Sequence, residues 1–250
     1  MLYGCLRQPV ESLYSSGDRK GRHVKTLGVI VIMVEKSMSI HIPDFDDSPG
    51  NWLCLDFTHT LQDRFNADRK ELLHSYSDVL AWGLFMRLVQ EEEARELLRT
   101  AEQHPQVATK TLHDALNLRE AIYCIFYNIS QEEAPGADDM ALLNTMLARA
   151  MSHACLYDAG EKDHFRWDWQ AKSDTERLER INWIVIRSAA DLLTSDKLHD
   201  VRACAAEDCR WLFLDISKNH SRRWCDMETC GNQAKARRHY SRKKSGSLHA

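Results

Sequence analysis

Cys204-Ala-Ala-Glu-Asp-Cys209, followed by Cys225-Asp-Met-Glu-Thr-Cys230, decides how the C-terminal part of this chain must fold. Four residues stand inside each pair and fifteen between the pairs. Two thiol pairs a short hairpin apart have the spacing of a single tetrahedral zinc site. Four thiolates fill the coordination sphere and leave no position for water, so a site of this kind is structural. Cys204, Cys209, Cys225 and Cys230 are therefore expected to hold one Zn2+. The second pair leads straight into Gly231-Asn-Gln-Ala-Lys-Ala-Arg-Arg-His-Tyr-Ser-Arg-Lys-Lys244. Positive charge set beside a metal-fixed scaffold points to nucleic acid as the partner.

Between the pairs, Trp211-Leu-Phe-Leu-Asp215 is rich in strand formers. Ser217 to Ser221 reads as a turn and Arg222-Arg-Trp224 as a return strand. Cys230 then opens a basic helix. Knuckle, hairpin and ligand-bearing helix start give a treble-clef-like arrangement. Its apolar set is mainly Trp211, Phe213, Trp224 and Tyr240, so metal binding and folding should be coupled. On a helix Lys235, Arg238, His239 and Arg242 share one side, with Arg237 and Ser241 adjoining. Lys218, Arg222 and Arg223 come from the hairpin. The candidate nucleic-acid contacts are thus Lys218, Arg222, Arg223, Lys235, Arg237, Arg238 and Arg242. Such a cluster neutralises phosphates, with binding that falls steeply as salt rises, and arginine also reads guanine edges. DNA is the expected partner. RNA, an acidic protein bound by an adaptor, and a merely solvated basic terminus are the alternatives.

The 250 residues suit one large domain and a small one. Hydrophobic residues make up 44% and charged residues 28%, as in an ordinary globular protein. The net charge of -4 hides an asymmetry. From Arg202 to Ala250 there are 11 Lys and Arg against 5 Asp and Glu, whereas the rest of the chain has 22 against 32. An acidic body with a basic tip is the charge pattern of a regulator whose tip meets phosphate. The remaining cysteines, Cys5, Cys54, Cys124 and Cys155, are scattered among apolar residues and read as buried thiols, which favours a reducing cytoplasm. The apolar run Leu27 to Val34 is too short to span a bilayer. Basic residues precede it, but no small-x-small cleavage site follows. It reads as an added strand or a leader, and translation starting at Met33 or Met38 would turn the first part into an upstream extension.

Further along, Asn51 to Phe57 enters a helix expected to run to about Arg64. Ser75-Tyr-Ser-Asp78 starts a second helix. Ala94, Leu97, Leu98 and Ala101 repeat at helical spacing, and His104-Pro105 ends that element. Thr111 and Asp114 resemble a capping box before a long core helix carrying Leu112, Leu116, Ile122, Phe126 and Ile129. Pro135-Gly136 breaks the chain before a helix with Leu143, Met146 and Leu147 on one face. Ala154–Asp158 and His164–Trp169 flank Ala159-Gly-Glu161, the one clear β-hairpin signal of the larger domain. Ser173 and Glu176 cap a last helix that runs towards Leu198. The fold expectation is mainly α: a multihelical N-terminal domain with one β-hairpin, plus a small C-terminal treble-clef-like zinc finger. Residues 1–42 form a leader or extension, 43–198 the helical domain, 199–244 the finger with its basic helix, and 245–250 a tail.

The chain resembles the CGNR zinc-finger family of bacterial proteins over Arg202 to about Arg242. Cys204, Cys209, Trp211–Asp215, Arg222-Arg-Trp-Cys225, Met227 and Cys230-Gly-Asn232 carry the resemblance. The upstream region resembles the ABATE domain that accompanies this finger, through Gly50, Leu53, Leu55-Asp-Phe57, Thr60, Leu118-Arg-Glu-Ala121 and Ser188–Leu193. The resemblance implies a stress-induced bacterial transcription regulator with a mainly helical N-terminal domain and a DNA-binding finger. Three positions depart from the family pattern. Gln233 replaces the motif's final arginine, Arg210 stands where glycine is frequent, and His59 stands where asparagine is usual.

Asp56 and Arg119 lie within apolar sequence and suit a structural ion pair, a helix cap or an effector pocket. Trp167, Asp168 and Trp169 could flank a ligand or cover a helical core. His153 and His164 lack further ligands at metal spacing. No phosphate loop, nucleophile elbow or His-Glu-x-x-His is present, so no enzyme is expected. The leading expectation is a cytoplasmic DNA-binding regulator whose helical domain senses a ligand or associates, a homodimer being one form of association.

Overall fold

The computed structural model describes residues 31–34, 38–41, 45, 50–158, 160, 165–206 and 208–237. Strands β1 (Val31–Val34) and β2 (Met38–His41) pair antiparallel, with Val31 opposite His41. The apolar run ending at Val34 thus supplies a strand, one of the two forms expected for it.

Helix α1 (Leu53–Thr58) is shorter than its expected run to Arg64. Thr58 and Thr60 turn their hydroxyls back onto the carbonyls of Leu55 and Phe57, at 2.7 and 2.8 Å. Such local bonds compete with helix continuation. The chain instead enters β3 (Leu61–Gln62), which pairs with β4 (Lys70–Glu71). Helix α2 (Tyr76–Phe85) begins at the expected Ser75, where the Asp78 carboxylate accepts from the Ser75 backbone N–H at 2.8 Å.

Helix α3 (Glu91–Gln103) starts with three glutamates, which suit the positive end of the helix dipole. Helix α4 (Pro105–Ser130) follows at once. Pro105 both stops one helix and opens the next, because a first-turn proline gives up only an amide that would be unpaired anyway. Thr111 therefore lies inside α4 rather than at its start. Its hydroxyl donates to the Val107 carbonyl one turn back at 3.0 Å. Leu118, Ile122, Ile125 and Phe126 of α4 are fully buried. This helix is the axle of the molecule, packed against α1, α2, α3, α5 (Ala137–Met151) and α7 (Arg180–Leu193).

Strands β5 (Ala154–Asp158) and β6 (Phe165–Trp169) form the expected hairpin, with Leu156 opposite Trp167. The short α6 (Asp174–Arg177) is capped by Ser173, whose Oγ accepts the Glu176 amide at 3.2 Å. Helices α2 and α7 approach closely at Gly83. A Cβ there would stand 2.5 Å from Ile181 Cδ1.

A 3-10 turn, Asp196–Asp200, delivers the chain to β7 (Val201–Ala203), which pairs with β8 (Leu212–Leu214). This departs from the sequence expectation. The Trp211–Asp215 strand pairs with residues ahead of the first cysteine, not with Arg222–Trp224, and the hairpin straddles the knuckle. Both faces of β8 are buried, and its side chains alternate between two cores. Leu212 and Leu214 enter the main helical core, while Phe213 joins the cysteine cluster. Cys54 and Cys155 are free thiols as expected. Cys124 is disulfide-bonded and departs from that expectation. Among the described residues no helix is long and apolar enough to cross a membrane.

Candidate metal centre and basic face

The knuckle is built by backbone bonds. The Cys204 amide donates to the Trp211 carbonyl at 2.8 Å, and the Cys209 and Arg210 amides donate to Ala206 O at 3.1 and 3.2 Å. Closing so tight a loop places Arg210 at φ 52°, in the left-handed region that side chains disfavour. That geometry explains why glycine suits this position, and Arg210 offsets the strain elsewhere. Its Nη1 donates to Tyr127 Oη at 2.6 Å, and its carbonyl accepts from Tyr123 Oη at 3.2 Å.

The second pair is brought in by the loop after β8. Asp215, almost fully buried, accepts the amides of Ser217 and Arg222 at 3.0 and 2.8 Å. Burial alone would raise its pKa, but these bonds outweigh it and hold the carboxyl below its ordinary range. The Ala205 amide then donates to Arg223 O at 2.8 Å, which sets Cys225 against the knuckle. Asp226 accepts the Thr229 amide at 2.7 Å and starts a wide helical turn, Met227–Gly231, that presents Cys230. Residues 232–237 continue as helix, as the sequence predicts.

All four sulfurs lie within 4.8 Å of one another. Cys209 and Cys225 are 3.5 Å apart, and Cys225 and Cys230 3.8 Å. Zinc–sulfur bonds of about 2.3 Å in a tetrahedron require sulfur separations of about 3.8 Å, so the set fits the ion with little movement. The sulfurs are close enough for their protons to compete, because Cys204, Cys209 and Cys225 share hydrogen bonds with one another. A divalent cation removes this competition by taking all four sulfurs as thiolates and releasing their protons.

Residues 201–243 match the CGNR zinc finger, and residues 51–196 match ABATE, described as "putative stress-induced transcription regulator". The chain belongs to the ABATE family. No curated protein matches it. Neither matched family is an enzyme family. The CGNR finger accounts for one structural zinc held by the clustered cysteines.

The described basic candidates of this ABATE protein fall into three groups. Lys218, Arg223 and Lys235 are exposed, and among the described residues no ion pair forms on them. Arg223 lies over the Trp224 ring at 5.3 Å. Arg222 is engaged within the finger. Its Nε donates to Trp224 O at 2.9 Å, its Nη2 bonds Cys225 O, and its guanidinium lies 4.7 Å from the Phe213 ring centroid. Arg237 is exposed but bridges to Asp208 at 2.7 Å, tying helix to knuckle and holding the Asp208 carboxyl below its ordinary range. Arg238 and Arg242 lie outside the described residues.

Asp56 and Arg119 go to different partners. Asp56 accepts the Gly50 amide. Burial pushes its carboxyl up to about 6. Arg119, 2% exposed, makes a bidentate pair with Glu71 at 2.7 and 2.6 Å and also bonds Thr60 and Glu120. It is a structural clamp from α4 onto Thr60, just before β3, and Glu71 of β4. His153 stacks on Trp183 at 4.4 Å, and its Nδ1 lies 3.2 Å from Gln170 O, while His164 lies outside the described residues. Sequence reasoning missed the joint between finger and body. The departure at His59 was its one visible sign. The His59 ring stacks on Trp211 with centroids 4.3 Å apart, and its Nε2 lies 2.8 Å from Leu212 O.

Proposed function

We propose that this ABATE protein is a cytoplasmic transcription regulator whose CGNR finger docks on duplex DNA. The helical body, residues 43–198, senses a small ligand and passes its state to the finger, residues 199–244. The observation that carries the reading is the exposure of Lys218, Arg223 and Lys235 on a scaffold set by the cysteine cluster. Charges on a metal-fixed frame meet phosphates with little ordering entropy left to lose. Arg222 serves this surface indirectly, by holding the Trp224–Cys225 backbone beside it. Arg237, Arg238 and Arg242 extend the same charge along the final basic segment.

Fluorescence anisotropy of a labelled random duplex, measured between 50 and 200 mM KCl, tests the reading. Each neutralised phosphate contributes about -0.9 to the slope of log K against log salt. Lys218→Ala, Arg223→Ala and Lys235→Ala together should flatten that slope by about 3 while zinc content stays at one per chain. A triple variant that binds with the wild-type slope and affinity overturns the docking surface. Preference for single-stranded RNA over duplex DNA in the same titration overturns the choice of polymer.

A further inference from the structure

A cleft of about 580 Å3 opens between the start of α1, α7 and β6, away from the finger's cysteines. That volume falls in the range of sites for small organic molecules. Trp52, Trp167 and Trp169 give it flat aromatic walls, and Leu88 and Ile184 give it aliphatic ones. Trp167 is 47% exposed.

Its polar groups are few, and most are already matched. Ser188 Oγ accepts the Cys54 amide at 3.1 Å, and the Ser188 carbonyl accepts from Trp52 Nε1 at 2.9 Å. Arg180 donates to Asp168 at 3.0 Å and to the Trp169 carbonyl at 3.3 Å, and its Nε, buried without a hydrogen bond, still faces a carboxylate oxygen of Glu93 at 3.1 Å. Arg187 differs. Its Nε donates to Asp191 at 2.7 Å, and its guanidinium carbon lies 4.0 Å from the Trp167 ring centroid. Its Nη1 is buried with no hydrogen-bond partner. Leaving a buried charged donor unmatched is costly, so such a group calls for an acceptor. The acceptor that suits a guanidinium best is a carboxylate.

We propose that this cleft binds a small planar aromatic carboxylate, its ring against the tryptophans and its carboxylate on Arg187. Trp52 stands at the other wall, next to the segment that holds the finger. Gly50 O accepts the Leu214 amide at 2.7 Å, and Asn51 Nδ2 donates to Leu214 O at 3.1 Å. A ligand pressed on Trp52 therefore acts within two residues of the bonds to β8.

This assignment rests on the reading of the helical body as a ligand sensor, and its test uses full-length zinc-loaded protein with 2-naphthoate as probe. Isothermal titration calorimetry should show saturable binding of one naphthoate per chain, at least tenfold tighter than 2-naphthamide, its uncharged counterpart. Arg187→Met keeps the stem against Trp167 and should abolish the preference. If circular dichroism shows that variant unfolded, Arg187→Lys takes its place and should weaken the preference in the same way. No saturable naphthoate binding at millimolar concentration, equal affinity for acid and amide, or an undiminished preference in the folded variant would overturn the proposal. Duplex affinity measured in parallel without naphthoate separates the two readings. Loss of naphthoate binding with duplex binding intact removes the cleft assignment alone.

Discussion

His59 and Trp211 stack almost in parallel, 10° between planes and 4.3 Å between centroids, at the point where the zinc finger meets the helical body. His59 ends α1 and Trp211 leads into β8, so the two rings join elements far apart in the chain. The imidazole Nε2 also reaches Leu212 O at 2.8 Å, which requires the tautomer or ion with hydrogen on that nitrogen. Leu212 and Leu214 lie in the main core, and the backbone of β8 bonds Gly50. The finger is built into the body rather than hung from it.

His59→Ala should therefore weaken the whole chain and not the finger alone. It deletes the stack and leaves a buried carbonyl unmatched, a cost of about 2 kcal/mol. Urea denaturation read by tryptophan fluorescence and by circular dichroism should show one transition, shifted to lower urea with its slope unchanged. Two separated transitions in the wild-type protein would contradict the joint.

Arg119 is buried with Glu71, and Glu71 also accepts the amides of Leu72 and Leu73 at 3.0 and 2.9 Å. Arg119→Met leaves that carboxylate buried without its cation, which should cost about 3–5 kcal/mol. Adding Glu71→Gln removes the stranded charge but keeps an acceptor for the two amides. The double variant should recover a large part of the loss, measured by thermal or urea unfolding.

Asp56 gives a pH signature of unusual sign. Its folded pKa is raised from 3.8 to about 6 because burial penalises the charge. The folded chain therefore binds this proton more tightly than the unfolded chain does. The carboxylate destabilises the fold fully above about pH 6, by roughly 3 kcal/mol, and the penalty fades as pH falls towards 4. Asp56→Asn, which keeps an oxygen for the Gly50 amide, should stabilise the protein at pH 7.5 and lose that advantage near pH 4. An advantage independent of pH would contradict the burial of this group.

Arg210 carries two opposed effects. Its φ of 52° favours glycine, while its side chain holds Tyr127 at 2.6 Å. Arg210→Ala loses the bond and keeps the strain, whereas Arg210→Gly loses the bond and relieves it. Glycine should be about 1 kcal/mol more stable than alanine at this position, read from the midpoint of zinc-loaded unfolding.

The zinc cluster was legible in the sequence because cysteine spacing is a local signal that chemistry restricts tightly. The starts of α2 and α6 were legible for the same reason, through Ser75 with Asp78 and Ser173 with Glu176. The partner of β8 was not. Val201–Ala203 is three residues long and sits at the end of a helical stretch, and no local pattern says that it pairs across the knuckle. The start of α4 was misplaced because Pro105 reads only as a stop and Thr111 as a cap, whereas Pro105 also opens α4, which then runs on through Thr111. Arg222 shows the limit for function. A basic residue next to a zinc ligand looks the same in sequence whether it faces phosphate or holds the backbone, and only its bonds to Trp224 and Cys225 tell the two apart.

The most direct test of the account compares wild type with Cys225→Ser in duplex binding across a salt series, with zinc measured in the same samples. The account predicts one zinc per wild-type chain and affinity that falls steeply with salt. The variant should lose both the metal and most of the affinity. A variant without zinc that binds duplex as tightly and as salt-sensitively as wild type would contradict the claim that the metal-fixed finger presents the charge to DNA.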